Sequence, residues 1–590
     1  MTYRGSDLFV DALEEYGVEY VFGNPGTTEI PVLDSLEGSD VRYIQALHED
    51  VAVGMAAGYG SAMRYKSFHS DVNPVGVANL HVVPGLMHGL SNLHGAIYAG
   101  APLLVTAGDH GLDFGYQEPI LSGDLVKLAE DYTKWSAEVE HIDSLAAMVR
   151  RAFKVALTPP TGPVFLGLPF DVMMEETDER PERLGSIPGL GGGSEDDIEL
   201  AADIIGENED VVFVVGDMVA RNDAVDQVVE LAETVGARVY GEIFACEVNF
   251  PVDHEQWINF LPPQEEYVNI LLQSDVVAFI GCSTNTTLWR TNHPIVDPDV
   301  TFVHAGPDPW ELGKNRPADV SVIGDTGKIA AGITEKLEDR IGDDELERRL
   351  VKVESANEMV EYYLDEKMDD QEFVEGKVEE SDSIDVGETD QVKETGDVDS
   401  DNDDSGHVCS KTELAQALNQ VSDDVFLVDE GVTSRYALLT NFDLERESYL
   451  SSKGGGLGYG LPAAVGVAVA VESDPEDDRD VVGFVGDGSY LYYPQAVYAA
   501  VRHGLDLTVV VSDNDNYRIL KDNAISILGG GEEDHEFLGM DLVPPIEHVD
   551  SARSYGATAE KVESSEELVH TLHSAIESGG VDVIDVLVHD

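Results

Sequence analysis

Short apolar runs alternate with amphipathic segments along most of the chain. In its first part, apolar runs occupy residues 18–23, 41–47, 74–80, 102–108 and 163–169. This alternation is typical of parallel strands that are covered by helices on both faces. Polar or turn residues follow most of these runs, and chemistry in such sheets collects at the carboxyl ends of the strands. The pattern predicts an α/β fold with a doubly wound parallel sheet.

The same pattern recurs twice more, so we predict three doubly wound α/β domains. The further predicted strands are residues 210–216, 237–244, 275–281, 300–306, 319–324, 424–431, 480–488, 507–514 and 581–588. A Pro- and Gly-rich stretch near residue 190 indicates a boundary. Another stretch has few large apolar residues and many like charges, which predicts an acidic disordered linker. The predicted divisions are 1–185 and 190–350 for the first two domains, 354–408 for the linker, and 409–590 for the third domain.

Net charge narrows the choice of partners. The chain has 115 acidic and 35 basic residues, giving −80, and the excess is spread along the whole sequence. Such a charge repels nucleic acid and anionic membranes, so neither is an expected partner. It favours a surface adapted to a salt-rich cytoplasm, where screening weakens self-repulsion, and therefore a halophilic source.

Without a spanning apolar run or a signal-peptide pattern, we expect a cytoplasmic protein.

Cysteine content excludes two classes of site. The three cysteines, Cys246, Cys282 and Cys409, are too few and too scattered for a disulfide framework or a cysteine-based metal site. We expect them to be ordinary core residues.

One carboxylate stands in an unusually apolar setting. In the stretch YIQALHEDVAVGMAAGYG, a β-like run (41–47) meets a helix of small residues (51–59), with His48 and Glu49 at the junction. Acidic residues are favoured in the first turn of a helix, so capping is one role for Glu49. A role in chemistry is the alternative.

A second cluster follows two predicted strands of the third domain. One strand ends in Gly486-Asp487-Gly488-Ser489, and the next ends in Asp513-Asn514-Asp515-Asn516. Glycines let a backbone approach an anion, and the following helix presents free N–H groups. Asp487 and Asn514 offer the oxygen ligands that Mg²⁺ prefers. The pairing predicts a metal and phosphate site.

These motifs together resemble a known family. The Asp of the GDG motif, Asp487, is followed 27 positions later by Asn514, as in the thiamine-diphosphate enzymes of the pyruvate decarboxylase and acetolactate synthase superfamily. Further similar segments are GGGLGYGLPAAVG (454–466), VFGNPGTTEIP (21–31), ALHEDVAVGMAAGYG (46–60) and GPVFLGLPFD (162–171). The GNPG turn, the NLH ending the third strand and PLLVTAG look most like the benzoylformate decarboxylases. The resemblance implies pyrimidine-binding, central and diphosphate-binding domains.

The resemblance also implies roles for individual residues. Glu49 would hydrogen-bond the pyrimidine ring of thiamine diphosphate and promote the tautomer that removes the thiazolium C2 proton. His81 would relay protons in catalysis. Leu457 would hold the two rings in a V shape, although simple core packing is its alternative role, and the Gly455 carbonyl would accept from the pyrimidine amine. Asp487, Asn514 and the main-chain carbonyl of Asn516 would bind Mg²⁺. The remaining cofactor-binding residues would be Gly26, Thr27, Thr433, Gly488 and Ser489.

The implied function is Mg²⁺-dependent, non-oxidative decarboxylation of a small 2-oxo acid. Family sites pair Glu49's domain from one subunit with the Mg²⁺ site of another, which implies a homodimer or homotetramer. The second active-site histidine of benzoylformate decarboxylase falls on Leu288 instead, with His293 nearby.

Two alternatives remain open at this stage. Residues 116–119 (YQEP) and Pro84-Gly85 resemble parts of the acetolactate synthases, which favours a carboligase that condenses 2-oxo acids for branched-chain amino acid synthesis. Those enzymes carry FAD in the central domain, and the sequence does not reveal whether this chain does. The second alternative is a non-catalytic, cofactor-binding regulatory subunit.

Overall fold

The computed structural model describes residues 3–283, 290–291, 293–338, 340–368, 408–421 and 424–589. Within these residues the chain forms three six-stranded sheets, whose strands pair in parallel. The strands are β1 (Tyr20–Gly23), β2 (Arg42–Gln45), β3 (Gly76–His81), β4 (Leu103–Asp109), β5 (Ser136–Glu138), β6 (Val164–Pro169), β7 (Val211–Val215), β8 (Arg238–Gly241), β9 (Trp257–Phe260), β10 (Val276–Ile280), β11 (Thr301–Gly306), β12 (Val320–Ile323), β13 (Val425–Glu430), β14 (Tyr449–Ser451), β15 (Asp480–Gly486), β16 (Leu507–Asp513), β17 (Thr558–Val562) and β18 (Val581–Leu587).

Helices connect and cover these strands. They are α1 (Gly5–Glu15), α2 (Ile30–Leu36), α3 (Glu49–His69), α4 (Val82–His88), α5 (Leu90–Tyr98), α6 (Leu125–Glu130), α7 (Leu145–Leu157), α8 (Phe170–Met174), α9 (Glu195–Gly206), α10 (Met218–Arg221), α11 (Val225–Val235), α12 (Glu265–Leu271), α13 (Thr326–Leu337), α14 (Asp343–Met368), α15 (Lys411–Val421), α16 (Arg435–Asn441), α17 (Gly460–Glu472), α18 (Asp487–Tyr490), α19 (Ala496–His503), α20 (Arg518–Leu528), α21 (His548–Ser554) and α22 (Ser565–Ser578). Three doubly wound α/β domains are thereby confirmed.

The first and third sheets share one strand order. It is β2-β1-β3-β4-β6-β5 in the first and β14-β13-β15-β16-β18-β17 in the third, whereas the central sheet has the order β12-β11-β10-β7-β8-β9. In the outer sheets the connections change direction between β1 and β3 and between β13 and β15. Crevices at the carboxyl ends of strands open at such switch points. The crevices therefore adjoin Asn24 and His81 in the first domain, and Glu430 and Asp487 in the third.

All fourteen predicted strands are present, and four observed strands were not predicted. These four are β5, β9, β14 and β17, and each lies at an edge of its sheet. They are three to five residues long and pair on one side only, so they lack the long apolar runs of central strands.

The predicted acidic linker, 354–408, needs a correction at its N-terminal end. Helix α14 continues from Asp343 to Met368, so residues 354–368 are helical rather than part of a structureless segment. Its last turns carry both acidic and apolar residues at helical spacing, which allows the helix to extend beyond the point where charge begins to dominate. Most of the remaining predicted linker lies outside the described residues.

The small residues of α3 have a packing role. Helix α3 crosses α17 of the third domain, and their backbones approach closely where glycines lie. A Cβ on Gly466 would come within 1.9 Å of the Met55 carbonyl oxygen, and one on Gly58 within 2.3 Å of the Ala463 carbonyl oxygen. The predicted helix 51–59 is therefore the N-terminal half of a longer helix that binds two domains together.

A buried ion-pair cluster joins all three domains. Arg64 of α3 donates from Nη2 to Glu247 Oε2 at 2.9 Å, and Arg221 of the central domain binds the same carboxylate. Lys453 of the third domain lies 2.6 Å from Glu242 of the central domain. Breaking a buried pair leaves an uncompensated charge at a cost of about 3–5 kcal/mol. The cluster therefore opposes displacement of one domain relative to another.

Two further expectations concern the core and the membrane. All three cysteines are buried and free, as core residues would be. No helix in the described part of the chain is both long and apolar enough to cross a membrane.

Candidate active site

Glu49 begins α3 directly after the carboxyl end of β2, in the first-domain crevice. Only 11% of its side chain is exposed. Its Oε1 accepts a hydrogen bond from Asn24 Nδ2 at 3.2 Å, so the GNPG turn touches the carboxylate. A Cβ on Gly85 would lie 3.4 Å from Oε1, at ordinary van der Waals distance, so this glycine leaves room beside the carboxylate. Glu49 is thus held in a fixed position beside a small, glycine-lined space.

Two histidines border Glu49. His88 Nδ1 lies 3.0 Å from Glu49 Oε2, and its ring stacks on that of His48 with centroids 5.2 Å apart. His48 caps α3, because its Nδ1 accepts the Asp50 N–H, and burial lowers the pKa of His48. His48 therefore caps the helix. The two carboxylate oxygens of Glu49 instead contact side chains, those of Asn24 and His88.

The start of α3 is also bound to the third domain. Tyr493, which follows the GDGS turn, donates from its hydroxyl to Asp50 Oδ2 at 2.7 Å. The other Asp50 oxygen accepts the Asn92 N–H, and the Asn92 amide donates to the Gly458 carbonyl at 3.3 Å. Burial raises the pKa of Asp50 to about 6. The residue next to Glu49 thus connects the first domain to the glycine loop of the third.

His81 ends β3 and is held from one side. Its Nδ1 lies 2.8 Å from Oε2 of Glu29, a fully buried residue that also accepts the Gly26 N–H at 2.8 Å. A carboxylate at Nδ1 favours the tautomer that carries its proton there and leaves Nε2 as an acceptor. A Cβ on Gly26 would lie 2.2 Å from the imidazole, so only glycine fits. Gly26 is therefore needed for the placement of His81.

Glu430 organises the glycine loop of the third domain. It ends β13, is buried, and accepts the N–H groups of Gly458 and Gly460 at 2.6 Å each. Burial raises the pKa of Glu430 to about 7, although these N–H groups oppose the shift. Gly455 and Leu457 lie between β14 and these two glycines. Gly455 has a φ of +71°, which favours glycine, and open space where a side chain would be. Leu457 is half-buried. Partial exposure of Leu457 favours a ligand-facing role over core packing.

Asp487 begins α18 at the carboxyl end of β15. The residue is buried, its Oδ1 accepts the Gly488 N–H at 2.6 Å, and its Oδ2 has no hydrogen-bond partner among the described residues. Burial and the nearby Asp513 raise the pKa of Asp487 to about 7. An unpaired buried carboxylate beside a second acid is what a bound cation would neutralise. The donor set therefore fits a divalent metal.

The other predicted ligands, Asn514 and Asn516, follow the strand that pairs with the one preceding Asp487. Strand β16 pairs with β15, so Asn514 and Asn516 follow the carboxyl end of the strand next to the one that Asp487 follows. The Asn516 side-chain amide donates to the Asn514 carbonyl at 2.6 Å. A Cβ on Gly488 would meet the Tyr517 ring at 2.4 Å, so this turn accepts only glycine. Ser489 is buried, and its hydroxyl reaches the Glu430 carbonyl at 3.4 Å. Packing against Tyr517 therefore accounts for the glycine at position 488.

The remaining predicted residues differ in placement. Thr27 is exposed at the start of a short 3₁₀ helix beside Gly26, and Thr433 is half-buried in the loop after β13. Leu288 lies outside the described residues. The backbone N–H of His293 donates to Glu265 in the central domain.

Sequence reasoning gave His88 less weight than His81 and missed two residues of the candidate site, Glu29 and Glu430. Each acts on a residue that is distant along the chain, since Glu29 and His81 are 52 positions apart and Glu430 and Gly458 are 28 apart. The available signal was modest: Glu29 ends the GNPGTTE segment, and Glu430 ends a predicted strand.

Known proteins share this architecture and these segments. Models of the thiamine pyrophosphate enzymes match residues 3–120 (N-terminal TPP binding domain), 198–333 (central domain) and 431–586 (C-terminal TPP binding domain). Benzoylformate decarboxylase of Pseudomonas aeruginosa is 25% identical over 581 residues, covering 98% of this chain and 97% of that protein. The "probable acetolactate synthase large subunit" of Methanocaldococcus jannaschii is 24% identical over 599 residues, covering 99% and 92%. The crystal structure of benzoylformate decarboxylase from Polynucleobacter necessarius superposes with a TM-score of 0.81 at 24% identity, covering 100% and 99%.

Proposed function

The chain is an enzyme that belongs to the thiamine pyrophosphate enzyme family, and from this premise we propose that it decarboxylates a 2-oxo acid without oxidation, using thiamine diphosphate and Mg²⁺. A decarboxylase and a synthase are about equally similar to it, so the choice between their reactions depends on the site itself.

The observation that carries the metal assignment is Asp487. Its buried Oδ2, which has no hydrogen-bond partner among the described residues, would bind Mg²⁺, together with Asn514 and the Asn516 carbonyl oxygen. The backbone at Gly488 and Ser489 would receive the diphosphate, and Thr433 and Leu457 would lie beside the coenzyme. Bound thiamine diphosphate supplies an electron sink for the bond to the departing carboxylate.

Glu49 is the proposed acid–base group for the coenzyme's pyrimidine ring. Asn24 and His88 hold its two carboxylate oxygens in different directions, which limits rotation of the side chain. Gly455 and Leu457 belong to the loop that Asn92 and Glu430 tie to both domains. In the paired-subunit site of the family, these contacts would fix how each chain presents its Glu49 and its glycine loop to the other subunit.

His81 favours decarboxylation over carboligation. Release of an aldehyde requires a proton at the carbon that lost CO₂. An imidazole held through Nδ1 can take up a proton at Nε2 and, as the imidazolium, donate it to that carbon. Glu29 provides that hold, and about a quarter of the His81 side chain is exposed. Gly26 and Thr27 lie on the same side of the crevice and would contact the coenzyme or substrate.

Replacing Glu49 by Gln tests the assignment. The variant should exchange the C2 proton of bound coenzyme for deuterium about 10²–10⁴-fold more slowly, with coenzyme affinity unchanged. Acid-quenched NMR measures the exchange, and Glu37→Gln, at an exposed helix end, is the control. Unchanged exchange would remove Glu49 from the mechanism.

Product analysis in high salt separates the reactions. Purified protein supplied with pyruvate and benzoylformate should release free aldehyde. Acetolactate as the main product would instead establish the carboligase alternative, and flavin absorbance of the purified protein would show whether FAD accompanies it. Consumption of neither acid while coenzyme binds would contradict both reactions.

Assembly and setting are further parts of the proposal. The paired-subunit site of the family supports a homodimer or homotetramer, and the charge of −80 supports work in a salt-rich cytoplasm. Light scattering across salt concentrations tests both. A monomer that binds coenzyme, or an assembly favoured by low salt, would contradict them.

A further inference from the structure

A second group of titratable side chains lies next to the proposed Mg²⁺ ligands. Asp513 ends β16 immediately before Asn514, Asp585 lies in the adjacent strand β18, and His548 begins α21. Each of these side chains is only 1% exposed. We refer to Asp513, His548 and Asp585 as the Asp-His-Asp cluster.

The Asp-His-Asp cluster has polar atoms that remain unsatisfied. Asp513 Oδ2, Asp585 Oδ1 and both ring nitrogens of His548 are buried and have no hydrogen-bond partner among the described residues. His548 Nδ1 lies 3.5 Å from Asp585 Oδ1 and 3.9 Å from Asp513 Oδ2. Leaving such groups unsatisfied costs about 1–3 kcal/mol each, and more when they are charged. A bound group between the two carboxylates and the imidazole would satisfy these atoms.

Lys561 does not fill that place. Its Nζ lies 3.6 Å from Asp513 Oδ2 and 3.8 Å from Asp585 Oδ2, whereas an ammonium that hydrogen-bonds a carboxylate lies at about 2.7–2.9 Å. The lysine side chain is 34% exposed, so the ammonium has access to water. Asp487 and Asp515 also face this region and add negative charge. The cluster therefore retains an electrostatic preference for a cation.

The donor atoms indicate which cation would fit. One imidazole nitrogen and two carboxylate oxygens suit a first-row transition-metal dication, while Mg²⁺ prefers oxygen ligands. Bonds of about 2.0–2.2 Å place neighbouring ligand atoms about 3.0–3.5 Å apart. The three ligand atoms lie within 4.8 Å of one another, so closing onto an ion requires only small side-chain movements.

We propose that Asp513, His548 and Asp585 bind a transition-metal dication such as Zn²⁺ or Mn²⁺, separate from the proposed Mg²⁺ site. The ion would join two neighbouring strand ends to the start of α21. Because Asp513 immediately precedes Asn514, it would also stabilise the backbone that presents Asn514. The site needs no coenzyme, so it is independent of the proposed function.

Cobalt is a suitable probe because its visible spectrum reports on ligands. Full-length protein stripped with chelator, without coenzyme or Mg²⁺, should bind one equivalent of Co²⁺ at the cluster and show ligand-field bands. His548→Phe should weaken this binding at least about 100-fold, since it removes one of the ligands. Asp585→Asn changes the side-chain shape less and should also weaken Co²⁺ binding. It therefore tests the site even if His548→Phe does not fold.

Two control variants isolate the site. His88→Gln removes a ligand from the other candidate cluster, His48–Glu49–His88, and should leave the Co²⁺ bands unchanged. Asp487→Asn should retain them while losing Mg²⁺-dependent coenzyme binding, so failure of the proposed function can be recognised separately. Zn²⁺ should raise the unfolding temperature of wild type and Asp487→Asn but not of His548→Phe. Absence of stoichiometric Co²⁺ binding, or equal binding by wild type, His548→Phe and Asp585→Asn, would overturn the proposal.

Discussion

Replacing Glu430 by Gln tests how one buried carboxyl group links stability to coenzyme binding. The carboxylate accepts the N–H groups of Gly458 and Gly460 at 2.6 Å each, and burial raises its pKa from 4.5 to about 7. Glutamine has nearly the same shape but does not ionise. The substitution therefore changes the charge and one hydrogen bond while preserving volume.

The expected effect on stability depends on pH. Between pH 4.5 and about 7, folded protein holds a proton on Glu430 that unfolded protein releases. The stabilising contribution of this proton is fully present below pH 4.5 and is lost as the pH rises through about 7. A shift of about 2.5 units corresponds to about 3 kcal/mol. The difference in free energy of unfolding between Glu430→Gln and wild type should therefore shift by about 3 kcal/mol in favour of the variant as the pH rises from 4.5 to about 7.

The expected effect on coenzyme binding has the opposite sign. The glutamine amide can accept only one of the two N–H groups, because its NH₂ group is a donor. Leaving the other N–H unpaired costs about 1–3 kcal/mol and loosens the loop that carries Gly455 and Leu457. Above pH 7 the dissociation constant of thiamine diphosphate should rise about 5–150-fold.

Urea unfolding and coenzyme titration between about pH 5 and pH 8, at constant high salt, measure both effects. Glu138→Gln is the matched control, because burial and Asp109 also raise the pKa of Glu138 to about 7, yet Glu138 ends β5 on the first sheet. It should change the pH dependence of stability and leave coenzyme affinity unchanged. Stability curves of wild type and Glu430→Gln that stay parallel, or equal coenzyme affinities, would refute the reasoning.

Two further substitutions test packing and catalysis. Gly466→Ala places a Cβ 1.9 Å from the Met55 carbonyl oxygen and should lower the free energy of unfolding by about 3 kcal/mol. Gly38→Ala is the control, because the atom nearest to its Cβ would be 3.9 Å away. Equal unfolding midpoints of the two variants would contradict the packing. Glu29→Gln removes the carboxylate at His81 Nδ1 and should slow aldehyde release about 10²-fold at unchanged coenzyme affinity, measured by turnover and titration. Full turnover would show that His81 works without it.

Local sequence patterns were sufficient for the central strands and for the chemical motifs. A strand such as β16 is buried on both faces, so its apolar run is continuous and marks its position without reference to any partner. Likewise, the GDGS turn follows its strand directly, and its Gly488 lies where any side chain would clash with the Tyr517 ring. The resemblance of these segments to one family then located Glu49, His81 and the predicted Mg²⁺ ligands.

Tertiary structure alone decided what surrounds those residues. His88 reaches Glu49 across 39 positions and Tyr493 reaches Asp50 across 443, and no periodicity in the chain encodes either contact. Four of the six edge strands, β5, β9, β14 and β17, were not predicted, because these short segments carry weak patterns. The small residues of α3 are equally compatible with an ordinary buried helix. Only the tertiary structure identifies α17 as their partner, because glycine spacing indicates a close approach but not the segment that approaches. Side-chain chemistry is local to the sequence, whereas the environment that directs it is assembled from distant segments when the three sheets pack.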